Sequence, residues 1–428
     1  MSFVLMHRWH FFVFSPNTFG HRPTSPSGYV GFCYISIKRL KPKKERSIIM
    51  LQCQDGFYTT FGSYPMMKDY HEKQSKDSQW VRCKVSDLQI EPLDAGSSLY
   101  ASSLPMAPGV TRDAVDDTAE NLGLAMDIEG KIYPIRTTAY KSLLDRAKIG
   151  GTVLPKLSRK VLSDVLNECL KLYPSDALIL IRDQKVSAVH SGDEVDYSIL
   201  PIDELLTTLQ GSLDTRFPGN EFKTGYSDHA LTSASWTMPN QKDDLIGCYV
   251  KHLDSIGKSY LAKNIVPGIR FMTSDTGVAS AKVSAMLMGG QYPIHIGSCI
   301  AVDHRHQSKV ADFSKALDQL FSQFGDSIAK LQKLTEITLS YPVNAMTRIC
   351  KKLSMPKKAA LGAIQMFEMS YGGGPATAHD VFMAMQEIMF LLKTENTPES
   401  KLLFIEENLS RTLFIDWNEY DLARTVSY

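Results

Sequence analysis

The sequence predicts an α+β fold: a mostly antiparallel sheet with flanking helices, followed by a helical C-terminal part. Three observations predict it. Residues 177–300 hold short runs rich in Val, Ile, Thr, Tyr and Trp with strand-like alternation. Residues 130–172 and 308–428 carry apolar residues at helical spacing instead. Strands and helices alternate too irregularly for the βα repeat of a parallel, doubly wound sheet.

The first 49 residues stand apart. They carry eight Lys and Arg against one acid, Glu45. The whole chain has 47 Lys and Arg against 46 Asp and Glu, so residues 50–428 balance at 39 − 45 = −6. The run "FFVF" (Phe11–Phe14) is far shorter than the ~20 apolar residues of a membrane span. No secretory pattern is clear either. Lys44–Ser47 can be encoded by a purine-rich run that a bacterial ribosome pairs with. The last base of Ser47 and the codons of Ile48 and Ile49 then leave seven nucleotides before Met50. The expectation is an untranslated leader with the start at Met50. The alternative is a basic tail that binds nucleic acid or membrane.

From Met50 onward the elements follow in order. Residues 50–129 are weakly patterned, and "DAGSSLYASSLPMAPG" (Asp94–Gly109) reads as loop, so a weakly ordered segment is expected. Tyr140, Leu143, Leu144 and Ala147 share one helix face, ended by Gly150 and Gly151. Ser158 caps a second helix with the stripe Val161, Leu162, Val165, Leu166 and Cys169. "ALILIRDQKVSAVHS" is a hairpin around "DQK". Pro201 opens a helix with Asp203 and Glu204 in its first turn, where the helix dipole favours acids. "FKTGYSDHALTSASWTM", "GIRFMTSDTG" and "QYPIHIGSCIAVDH" read as strands, whereas "VASAKVSAMLM" fits strand or helix. Phe313, Leu317, Leu320, Phe321, Phe324, Ile328 and Leu331 mark a long helix. Pro342, Pro356, Pro375 and Pro398 each suit the first turn of a further helix. The expected organisation is 1–49 leader, 50–129 weakly ordered, 130–306 α+β domain and 307–428 helical part.

Seven scattered cysteines with no C-x-x-C spacing point to reduced thiols in a cytoplasm. His295, Cys299, His304 and His306 lie close in sequence but lack the spacing of a zinc site. "SYGGGPATAHD" (Ser370–Asp380) lacks the lysine of a phosphate-binding loop and reads as an interhelix turn, with Thr377 and Asp380 spaced as a capping box. "TRICKKLSMPKK" (Thr347–Lys358) carries five cations and no acid; it suits phosphate contacts or a solvated helix face. No G-x-S-x-G, no paired Asp-x-Asp metal motif and no Cys–His nucleophile pattern appears, and no cofactor is implied.

"GIRFMTSDTGVASAKV" (Gly268–Val283) combines a cation, an aromatic ring and short polar residues ahead of a glycine turn. With the basic residues that follow, it suggests a strand platform that stacks and neutralises single-stranded DNA or RNA. The residues of that platform are Arg270, Phe271, Thr273, Ser274, Lys282, Arg305 and Lys309. The plain alternative is a polar turn between buried strands.

The stretch Tyr133–Leu206, with "LIRDQKVSAVHS" and "LPIDELL" in that order, resembles the phage/plasmid-like protein family. "RFMTSDTGVASAKV" and "VDHRHQSKVADFSKALDQLF" resemble its second half, so the resemblance spans about residues 130–335. The segment "HSGDEVDY" departs from the family's usual text. The family is a domain of unknown function without established catalytic residues. The resemblance implies a gene carried by a phage, prophage or plasmid and expressed in a bacterial cytoplasm. The expected function is therefore non-enzymatic binding of single-stranded nucleic acid in replication or recombination. Two rivals stand beside it. One is a host-protein interaction through the helical half, whose Met383, Met385 and Met389 suit adaptable packing. The other is an enzyme without a sequence signature. No membrane partner is expected.

Overall fold

The computed structural model describes residues 51–102, 106–289 and 293–428. The leader and start-site expectation, with Cys33, lies outside the described residues. Met50–Tyr428 forms one compact unit.

Its first part holds two three-stranded antiparallel sheets. One is built from β2 (Gln79–Lys84), β6 (Asp176–Arg182) and β7 (Lys185–Ser191), in the order β2-β6-β7. The other runs β3 (Gln89–Pro92), β4 (Leu124–Ile128), β5 (Lys131–Pro134). The β6–β7 hairpin turns on Asp183 and Gln184, both with positive φ, the pairing that matches strand twist in a two-residue turn. Between the strands come α2 (Ser98–Ala101), α3 (Arg112–Glu120), α4 (Ala139–Ala147) and α5 (Arg159–Lys171). Ser158 caps α5 by accepting the Val161 N–H, as the sequence indicates. Leu162 and Leu166 of α5 and Leu143 of α4 close a core over Ile90, Ile179 and Val189. Residues 50–129, expected to be weakly ordered, instead contribute strands to all three large sheets. Their apolar residues are too few to pattern alone, but Val85, Ile90 and Leu124 are buried once the partner strands arrive.

The second part is a six-stranded antiparallel sheet. Its order is β1 (Tyr58–Phe61), β8 (Glu221–Asp228), β9 (Thr232–Thr237), β10 (Val266–Thr273), β11 (Ala281–Met288), β12 (Ile294–Val302). The ambiguous "AKVSAMLM" is therefore strand. Alternate residues face opposite sides. On the inner face Trp236, Ile269, Phe271 and Val283 are fully buried. They pack against α1 (Tyr64–Asp77), α6 (Ile202–Arg216), α7 (Lys242–Ser255) and α9 (Val310–Lys333). Each such side chain contributes about 1.5–3 kcal/mol by leaving water. A short α8 (Ser259–Ala262) leads into β10.

The C-terminal elements are β13 (Thr338–Leu339), α10 (Pro342–Lys352), α11 (Lys357–Tyr371), β14 (Ala376–Thr377), α12 (Ala378–Met385), α13 (Glu387–Thr394) and α14 (Glu399–Ser410). Pro342, Pro356 and Pro398 sit at helix starts as expected, while Pro375 precedes β14 and the capping box of Thr377 with Asp380 opens α12. The division at 306/307 is corrected by the packing. One continuous core joins Trp236 and Phe271 of the sheet to Phe313 and Leu320 of α9 and to Met346 and Phe382 beyond. The stripe of α9 is buried against the sheet, so neither part closes its apolar face alone.

Candidate nucleic-acid interface

The expected platform divides when placed in three dimensions. Phe271 is fully buried, its ring 5.9 Å from that of Phe313 at 72°. It is a core residue and has no face for a base; this corrects its stacking role. Arg270 and Lys282 point to the outer face, where α14 lies across the sheet. Arg270 pairs with Glu406 at 3.1 Å, and Lys282 pairs with Glu407. Burial pushes the Glu406 carboxyl up, against the pull of Arg270. Both cations are neutralised under a helix, so neither is available to phosphate. Thr273 and Ser274 are buried too. The Ser274 hydroxyl donates to the Ala230 carbonyl at 2.5 Å and accepts the Val278 N–H at 3.2 Å, which builds the turn. Arg305 is exposed on a cleft, and Lys309 is exposed at the start of α9.

That cleft, of about 830 Å³, is what the turn serves. It lies between α4, the end of β7 and the connection Thr276–Ser280. Gly277 holds φ at +76°, a left-handed conformation suited to glycine, and lies against the edge of His190. The wall is a pile of rings. His190 and Tyr197 stack with centroids 3.5 Å apart, 4° from parallel, and His304 follows at 5.6 Å from Tyr197. Tyr197 Oη donates to the Asp275 carbonyl at 2.9 Å, and His190 Nε2 meets the same oxygen at 2.8 Å. A carbonyl only accepts, so neutral His190 carries its proton on Nε2 and a lone pair on Nδ1. Burial pushes the His190 pKa down to about 4. His304 donates from Nδ1 to the Ser198 carbonyl and accepts from the Thr273 hydroxyl. The Asp275 carboxylate is held by Arg182 at 2.5 Å. The wall is thus rigid and uncharged near neutral pH.

Charge comes from the rim. Lys141, Arg146, Lys148 and Arg305 border the cleft with Asp145, Asp196 and Asp303. None of the four cations is ion-paired among the described residues. Lys141 and Lys148 are exposed because Leu143 and Ala147 turn the opposite side of α4 into the core. That exposed face was legible in the sequence; its approach to residue 305, more than 150 positions away, was not.

A second cleft of about 830 Å³ adjoins the first, and Thr138 lines both. It lies on the outer sheet face at the β1–β8 edge, beside the connection that precedes α14 and the first turn of that helix. Tyr58 is 60% exposed and stacks on Tyr226 with centroids 6.1 Å apart at 23°. Tyr226 Oη donates to Asp228 at 2.7 Å, and Asp228 also accepts the Ala230 and Leu231 N–H groups. Burial and that carboxylate raise the Tyr226 pKa. Beneath the floor lies a buried charge network. Lys185, without exposure, reaches Asp55 at 3.0 Å and also Asp117, and Arg136 approaches Asp55 at 3.6 Å. Burial would raise the Asp55 pKa; Lys185, the Thr137 hydroxyl and Arg136 outweigh it and hold it low. This fixes residues 51–57, hence Phe57 and Tyr58, against α3 and α4.

The other motifs resolve structurally. Arg348 and Lys351 donate to carbonyls of Arg424 and Ser427, so the basic stretch on α10 holds the chain's last residues. His295 is buried, and among the described residues no group of His, Cys, Asp or Glu side chains is placed to hold a metal. The described cysteines are free thiols. Met385 and Met389 are buried in the core, which corrects their expected role as an adaptable surface. Among the described residues no helix is long and apolar enough to cross a membrane.

No protein-family profile, no curated protein and no solved structure matches the chain.

Proposed function

We propose that this protein binds single-stranded nucleic acid, with the sugar–phosphate backbone in the cleft beside α4. The observation that carries this reading is the set of four cations without ion-pair partners, Lys141, Arg146, Lys148 and Arg305, around a cleft whose wall is held rigid by fixed hydrogen bonds. The body is net acidic from residue 50 onward, so the attraction is local to this rim. A groove bordered by cations is the kind of surface that tracks the backbone of a single strand. A phage or plasmid origin, a cytoplasmic setting and a role in replication or recombination belong to the same proposal, supported by the resemblance of Tyr133–Leu206.

The test is a salt titration of binding to a short labelled oligonucleotide, using protein that starts at Met50. Affinity falls as salt rises. Replacing Arg305 or Lys148 with Ala lowers the slope of log affinity against log salt by about 0.7 for each phosphate no longer neutralised. Lys282→Ala leaves the slope unchanged, because Lys282 faces Glu407. No binding at low salt, or slopes indifferent to the rim, overturns the proposal.

One observation favours a second reading, a protein partner on the helical half. Leu361 and Met369 of α11, eight residues apart on one helix face, are 42% and 79% exposed. If oligonucleotides do not bind, this face becomes the leading surface.

A further inference from the structure

We propose that the uncovered sheet face carrying Tyr58 and Tyr226 is a stacking platform for unpaired nucleobases. This rests on the single-strand reading above and extends it to a second subsite. Three observations carry it.

The first is the ring pair itself. Tyr58, Thr60, Tyr226 and Asp228 project from one face, because Tyr58 pairs with Asp228 and Thr60 with Tyr226 across β1 and β8. Tyr58 lies over Tyr226 on one side and is 60% exposed on the other. A large ring kept open to solvent, and held by a second ring whose hydroxyl is tied to Asp228, is pre-ordered for stacking. Binding then costs little side-chain entropy.

The second is charge. The cleft is bordered by Asp228 and Glu399 against Lys393, while Asp55 at its floor is already paired with Lys185 and Arg136. That surface repels phosphate but accepts an uncharged base. The neighbouring cleft has the opposite balance, four cations against three carboxylates. The two grooves therefore sort a strand into its two chemical halves, phosphates on the α4 side and bases on the β1–β8 side.

The third is continuity. Thr138 lines both clefts, and Ala230, on the wall of the second, accepts hydrogen bonds from Ser274 and Thr276 of the turn beside the first. A strand crossing at Thr138 meets both surfaces without any rearrangement of the chain.

The experiment compares the Met50 protein with Tyr58→Ala and Tyr58→Phe on two oligonucleotides of equal length, one normal and one with abasic sites. Stacking at Tyr58 predicts that Tyr58→Ala weakens the normal oligonucleotide about 5- to 150-fold. It leaves the salt slope unchanged, and Tyr58→Phe binds as the parent does. On the abasic strand, parent and Tyr58→Ala bind alike. A 2-aminopurine placed in the strand is quenched by the parent and not by Tyr58→Ala. Matching thermal melts confirm that both variants are folded. If the parent binds neither strand, the single-strand reading itself is wrong. If the parent binds both strands with a salt slope set by Arg305, and Tyr58→Ala changes nothing, the platform alone is overturned.

Discussion

The two faces of the six-stranded sheet are made by the same strands and behave as different materials. The inner face is closed by Trp236, Ile269, Phe271 and Val283 against four helices and has no exposed ring among the described residues. The outer face presents Ser233, Ser235, Arg270 and Lys282, and depends on α14 for cover. Apolar packing there shrinks to Leu231, Met272 and Leu403. An apolar face closes with whatever fits by shape, since burial is non-directional. A polar face closes only where charges are matched, and Glu406 and Glu407 match only β10 and β11. At the β1–β8 edge, beside the first turn of α14, a cleft remains and Tyr58 is left in solvent. The difference teaches that a polar sheet face stays open wherever no matched charge holds a helix over it.

Four measurements test that contrast, taken from the largest effect down. Phe271→Ala removes an inner-face ring and should cost about 3–5 kcal/mol in denaturant unfolding. Affinity per folded molecule should not change; reduced affinity at full stability would return Phe271 to the interface.

Arg270→Ala strands Glu406 beneath α14 and should cost about 3 kcal/mol at pH 7. Burial raises the Glu406 carboxyl in the folded protein, so it takes up a proton there before it does in the unfolded chain. Stability linked to that proton is present at low pH and lost as pH rises. The deficit of Arg270→Ala should therefore shrink on acidification. Arg270→Met combined with Glu406→Leu should recover most of it, as buried pairs exchanged for apolar residues often do. A deficit independent of pH would remove Glu406 from the account.

Acid should next destabilise the fold as a whole. Burial holds His295 neutral down to a pKa of about 3, with Arg270 and Lys282 adding to the depression. His229 and His190 are depressed to about 3 and about 4. For a histidine lowered in this way the unfolded chain binds the proton first. Stability is full above the unfolded value near 6.5 and falls as pH drops toward the folded one. The slope is about 1.4 kcal/mol per pH unit for each ring. Denaturation midpoints between pH 7 and pH 5 should show it, and His295→Gln should flatten the curve by one ring's share.

The smallest effect belongs to Tyr58. Its exposure predicts that Tyr58→Ala changes unfolding free energy by no more than about 0.5–1 kcal/mol. A larger loss in a thermal melt would make Tyr58 a structural residue and blur the contrast between the faces.

Much of this was legible along the chain. The stripe of α9, the Ser158 cap, the "DQK" hairpin and the α+β class follow from local spacing, and the structure has all of them. The strand platform expected at Gly268–Val283 does not survive placement, because Phe271 enters the core while Arg270 and Lys282 are paired with Glu406 and Glu407. Arg270 and Phe271 are adjacent, and alternation sends them to opposite faces; which face is core depends on α9 and α14, some 40 and 130 residues further along.

The sequence by itself determined the secondary-structure periods, the caps and the acidic body from Met50 onward. These depend on neighbours within a few residues or on composition alone. Tertiary structure alone decided that Arg270 and Lys282 are neutralised while Lys141, Lys148 and Arg305 converge on one cleft. It also decided that β1, from a stretch with little pattern of its own, becomes the edge strand that carries Tyr58. The physical reason is range. Periodicity is set by backbone geometry over a turn or a strand pair, whereas the charge and exposure of a side chain are set by whatever long-range packing brings against it.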